Sequence, residues 1–232
     1  MSRPVRVSTD EIIKVARMHF LRSGHSASLK SIAQDLGLTH SAIIQRFGSK
    51  RELMITSLRP PKDYPWPAGF LEGPGDDADH ALVQLRLTCE MLMRFLHEHM
   101  PQIVVLQSAG VRSSELFEDR LPLPLIACQR LKEWIERGVA NGVFQSCDSA
   151  SVASTIVGTM FSRSRLEALH DHYLSARKEM IGGEGIDKPS LLGSIEEVMN
   201  LFANFLINRE SAPRDTDRST MQSHCLSGLR EL

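Results

Sequence analysis

The segment Ser28–Lys50, SLKSIAQDLGLTHSAIIQRFGSK, constrains the fold more than any other stretch of this chain. Its spacing is that of two short helices joined by a tight turn, followed by the start of a third. Two helices that cross steeply need a small residue where their backbones approach, and Ala33 stands there. The turn needs a residue at ease with positive φ, and Gly37 follows four positions later. Ile43 and Phe47, four apart, pin the inner face of the second helix. An ordinary helical hairpin shares part of this spacing, but not its polar outer face and basic flank.

The flanking sequence is helical throughout. Ser8 and Glu11 have capping-box spacing ahead of Ile12, Ile13, Ala16 and Phe20, and Gly24 closes that first helix. The next starts after Ser28 and ends at Gly37; another starts after Thr39 and runs to about Arg46. Ser49 and Glu52 repeat the capping-box spacing and open a further helix, which Pro60 and Pro61 end. Residues 59–77 hold five prolines and read as a boundary or connecting loop. Beyond it, helical stripes cover residues 77–100, 102–118, 123–141, 149–172 and 191–208. The spacing predicts an all-α chain of about nine helices: a helix-turn-helix domain over 7–67, a helical bundle over 68–208 and a disordered polar tail over 209–232.

Charge is split unevenly. Residues 1–59 carry ten Lys/Arg against four Asp/Glu, a net of +6, whereas the whole chain has a net charge of −1. A basic end on an acidic body points to a polyanion at that end. Four dispersed cysteines, Cys89, Cys128, Cys147 and Cys225, form neither a C-x-x-C pair nor a disulfide framework. No signal-peptide pattern and no apolar run of membrane-spanning length is visible, so the expected setting is cytoplasmic. His97 and His99, like His170 and His172, are two apart, so on a helix they point away from each other and no metal site is expected. No phosphate loop, zinc-protease or nucleophile-elbow motif is present, and neither an enzyme nor a cofactor is expected.

On the polar face after the turn stand His40, Ser41, Gln45 and Arg46. A helix laid in a major groove reads base edges with such groups, and Gln45 can pair bidentately with adenine. Arg46 and Lys50 suit phosphates by type, and the helix start at Ser49 offers backbone N–H groups. The hydroxyls of Ser28 and Thr39, at the starts of the two preceding helices, complete the candidate DNA-binding set.

Residues 9–58 resemble the DNA-binding domain of the TetR family of bacterial transcriptional regulators. The resemblance rests on SIAQDLGLTHSAIIQRFGSKRELM, above all on Phe47-Gly48-Ser49-Lys50 with Leu53. It implies a phosphate contact for Lys50, and it places Ile44 where the family usually carries a tyrosine that meets DNA. It extends more weakly to E-R-G-V-A-N-G-V-F over 136–144, which looks like the loop before the family's eighth helix. It also implies a homodimer and a ligand pocket in the helical body. Candidate interface residues are Met160, Phe161, Val198, Phe202 and Phe205. Candidate pocket residues are Met91, Phe95, Val104, Gln107 and Trp134, which suit a small apolar effector. The expected function is a ligand-responsive repressor that binds a palindromic double-stranded DNA operator. The alternative is a helical ligand-binding or protein-interaction module whose helix-turn-helix no longer reads DNA.

Overall fold

In the computed structural model, the residues described are 7–64, 66–117 and 121–175, with 196, 199, 200, 202, 206 and 207 beyond them. The candidate interface residues Val198 and Phe205 and the 209–232 tail lie outside the described residues, as does most of the helix expected over 191–208. The described residues contain eight α-helices and no strand.

The first four helices follow the local signals closely. α1 (Thr9–Ser23) starts at Ser8, whose hydroxyl accepts from the Glu11 N–H, and stops at Gly24, φ 56°. α2 (Leu29–Asp35) and α3 (His40–Phe47) are capped by the Ser28 and Thr39 hydroxyls. Between them the Gly37 N–H donates to the Gln34 carbonyl and the Leu38 N–H to the Ala33 carbonyl. That double closure is a Schellman turn, and it needs the left-handed residue that Gly37 supplies at φ +63°. α4 (Lys50–Leu58) starts at Ser49, whose hydroxyl accepts from the Glu52 N–H. Ile12, Phe20, Ile32, Ile43, Leu53 and Leu58 are completely enclosed among these four helices.

α5 (Ala78–Ser108) differs from the sequence expectation. It runs for 31 residues straight through Pro101, where two separate segments were expected. Proline in a helix interior removes one donor and costs about 3 kcal/mol. Burial of Met100 just before it and of Val104, Val105 and Leu106 just beyond it offsets that cost. What remains of the second segment is a single turn, α6 (Ser113–Leu116). α7 (Leu123–Ala140) and α8 (Ser149–Ser175) complete the body, and α8 packs along both α5 and α7.

There are two apolar cores, and α5 feeds both. Its Leu85, Cys89, Leu92 and Met100 join the body core, whereas Val105 and Leu106 join the core of the first four helices. Burial pushes the Cys89 thiol up to about 12, which leaves it unreactive.

The connector after α4 is not a loose tether. Phe70, fully buried, stacks on Trp66 at 5.5 Å and on Trp134 at 5.6 Å. The Trp134 indole N–H donates to Gln84 Oε1 at 2.7 Å. Arg137 and Asn141 donate to the connector carbonyls of Leu71 and Gly75. The Phe144 ring lies directly on Gly138, where an added Cβ would stand 2.1 Å from it.

Gly138→Ala is therefore expected to cost about 1–3 kcal/mol through overpacking, even though alanine favours a helix. The cost should vanish in a Phe144→Ala background. Urea unfolding of the two single variants and the double variant measures both quantities.

Candidate nucleic-acid interface and cavity

α3 is anchored from beneath by Ile43, fully buried, and by half-buried Phe47 and Ile44. His40, Ser41, Gln45 and Arg46 are exposed. The four side chains thus share the solvent side of an eight-residue helix held between two capped neighbours.

Ile44 faces partly inward, against the core rather than fully into solvent. The two cations are already engaged. Arg46 Nη1 donates to the Val7 carbonyl at 2.8 Å, and Lys50 Nζ donates to the His25 carbonyl. A guanidinium has five N–H donors and an ammonium three, so both keep donors for a phosphate. The hydroxyls of Ser28, Thr39 and Ser49 each accept a backbone N–H as caps. Their own protons remain available to an anion.

A cavity of about 100 Å³ lies between α5, the connector and α6. Phe95 and Gln107 line it, with Tyr64, His99, Ile103 and Phe117. Met91 lies outside it, on an adjoining open cleft that shares Tyr64, Phe95 and His99. Val104 and Trp134 line neither; both are packed in the body core. The residues not anticipated, His99 and Ile103 above all, stand four apart in the series Phe95, His99, Ile103, Gln107 on α5. Their common spacing was the available signal, and dividing the helix near Pro101 concealed it.

His99 is buried, its ring 4.4 Å from that of Phe95 and its Nδ1 3.2 Å from the Gln102 amide nitrogen. Burial is the main cause that holds its pKa below the usual histidine value. His97 faces Glu167 at 3.6 Å instead, so the two histidines diverge. Among the described residues no group of three His, Cys, Asp or Glu could hold a metal ion. Nor is any described helix long and apolar enough to cross a membrane.

Of the interface candidates, Met160 and Phe202 are buried in the core of their own chain, and Phe161 lines the cavity. Among the described side chains of α8, the exposed large apolar one is Leu166, at 57%.

One chain of polar contacts leads from the cavity to the first four helices. Gln107 Nε2 donates to Ser113 Oγ at 3.4 Å, at the start of α6. Two residues on, Glu115 accepts from Arg51 of α4 at 2.8 Å, and its carbonyl accepts from Arg59. The backbone N–H of Arg112, and then Arg51, hold the Glu115 carboxyl below its usual range.

No protein-family model and no curated protein matches this chain. Solved structures do. One, described as the molecular basis for control of antibiotic production by bacterial hormones, aligns at TM-score 0.50 and 18% identity over 87% of this chain and 100% of its own. The two share a fold. Looser likenesses are a TetR/AcrR family transcriptional regulator from Thermobifida fusca and NalD, the secondary repressor of the MexAB-OprM multidrug efflux pump in Pseudomonas aeruginosa. The first aligns at TM-score 0.43 and 19% identity over 84% of this chain and 96% of its own. The second aligns at 0.37 and 16% over 85% and 94%.

Two outcomes are expected. Gly37→Ala meets no neighbouring atom within 4 Å, so its cost is backbone strain alone, about 1–2 kcal/mol, and Gly37→Asn should recover part of it. Denaturant midpoints of the two variants check this. Because the folded pKa of Glu115 is depressed, its contact with Arg51 is complete at neutral pH and is lost only as pH falls below the usual carboxylate range. Carbon-13 NMR titration should show Glu115 moving only part of the way back in Arg51→Ala, since the Arg112 N–H still binds it.

Proposed function

We propose that this chain is a TetR-family transcriptional regulator: a homodimeric, ligand-responsive repressor that reads a palindromic DNA operator with α3. The observation that carries this reading is α3 itself. It presents His40, Ser41 and Gln45 to solvent from a helix locked at both ends and clamped through Ile43. The net +6 of residues 1–59 supplies the field that draws in a phosphate backbone. The fold shared with the antibiotic-control structure is consistent with it.

In a dimer, two copies of α3 would enter successive major grooves about 34–36 Å apart. Gln45 supplies base recognition, with His40 and Ser41 beside it. Ile44, half-buried, offers at most its outer carbons to a thymine methyl. Arg46 and Lys50 exchange or share their backbone carbonyls with phosphates, and Ser28, Thr39 and Ser49 donate their hydroxyl protons. Ligand in the cavity would shift α6 through Gln107 and Ser113, and α6 would shift α4 through Glu115 and Arg51. The effect on operator affinity equals the ligand's differential affinity for the two arrangements.

Selection of bound DNA from a random pool tests the reading, and a palindromic consensus is the expected result. Gln45→Ala should relax specificity at one position per half-site, by about 1–3 kcal/mol. Lys50→Ala should weaken all sequences alike and flatten the salt dependence by about one unit per protomer. Unchanged affinity in the combined variant would sink the assignment. A pool that yields no sequence would favour a helical ligand-binding module that does not read DNA. Removing either Arg51 or Glu115 should leave operator binding in place while blunting its response to ligand.

A further inference from the structure

We infer that the effector is an elongated carboxylic acid, with its carboxylate seated at the Arg165–Gln107 end of the cavity and its apolar body lying along α5. This deepens the regulator reading and rests on its cavity. The argument begins at Arg165. Its side chain is half-buried, and its Nη1 donates to Gln107 Oε1 at 2.7 Å. Among the described residues no carboxylate pairs with it. A partly desolvated guanidinium held by a single neutral acceptor is under-satisfied, because four of its five donors find no protein partner among those residues.

Arg165 does not itself line the cavity; it stands behind Gln107, which does, and is reached through that amide. Gln107 lines the wall, and so does Phe161, one helical turn before Arg165 on α8. A carboxylate that displaces Gln107 Oε1 gains a charged partner in Arg165, and the freed amide can turn its Nε2 toward the second oxygen. Bidentate pairing of this kind is what a guanidinium does best.

At about 100 Å³ the cavity takes only the inner part of such a molecule, and the adjoining open cleft, which shares Tyr64, Phe95 and His99, takes the rest. From His99 to Gln107 the wall follows one stripe of α5, about 12 Å long at the helical rise. Leu96, Met100, Ile103, Phe117 and Leu123 make it apolar. At the other end, the adjoining cleft carries Asp63 and Glu98 beside Arg94. Two carboxylates there disfavour an anion at the outer end and direct the acid group inward. Burial lowers the His99 pKa, which disfavours a further positive charge at that end.

The test is calorimetric titration of the full-length chain with decanoate and with decan-1-ol, both below micelle-forming concentrations. Decanoate should bind at least about tenfold more tightly, equivalent to about 1.4 kcal/mol. Arg165→Gln should abolish the preference and leave the alcohol's affinity unchanged. Gln107→Glu supplies an internal carboxylate to Arg165 and should do the same without removing the guanidinium, so the test survives if Arg165→Gln does not fold. Equal affinity for the two probes, binding of neither, or a preference that survives Gln107→Glu overturns the inference. DNA selection on the same preparation separates the two readings. A DNA consensus without a preference for decanoate overturns only the ligand class. A preference for decanoate without a consensus overturns only the regulator.

Discussion

Everything in this structure hangs on one helix that belongs to two cores at once. α5 gives Leu85, Cys89, Leu92 and Met100 to the body and Val105 and Leu106 to the helix-turn-helix. A continuous helix is stiff over this length, about 46 Å at the ordinary rise. Neither core can shift along it without breaking packing that both require. The cavity lies on the same helix, so whatever fills it presses on an element that the first four helices also touch. α6 adds a second, polar route through Glu115 to Arg51.

How much of this the sequence disclosed depends on how local the cause is. The boundaries of α1 to α4 were legible because each rests on a neighbour a few residues away: hydroxyl caps at Ser8, Ser28, Thr39 and Ser49, and a glycine at 37 that alone closes its turn without strain. The body was legible as helices but not as a site. Pro101 is a helix breaker by local rules, and only the burial of the residues around it keeps α5 whole. Once α5 is whole, Phe95, His99, Ile103 and Gln107 fall on one stripe. Trp134 shows the converse limit. An aromatic in an apolar helix can line a pocket or fill a core. The choice here was made by Phe70, 64 positions earlier in the chain, and by the Gln84 amide. Met160 and Phe202 likewise turned inward to the core of their own chain, which no periodicity could distinguish from an interface.

Two basic side chains of the helix-turn-helix are engaged within the fold. Arg46 ties α3 to the residue ahead of α1, and Lys50 ties α4 to the short turn over Gly24–Ser26. These cations brace the four helices against one another. A phosphate would compete with a carbonyl for each of them, so part of the gain from charge neutralisation is offset by lost bracing. On the proposed function, binding and stiffness in this region would be coupled through the same two side chains.

The aromatic stack has a consequence for optics. The chain has two tryptophans, and they flank Phe70. Trp134 is wholly enclosed, whereas Trp66, on the connector, is half-buried. A soluble quencher reaches one indole and is barred from the other. If the connector lifts away from the body, the enclosed indole becomes wet and its emission moves to the red. The protein thus carries an intrinsic optical gauge of whether the connector leaving α4 is seated, readable without any label.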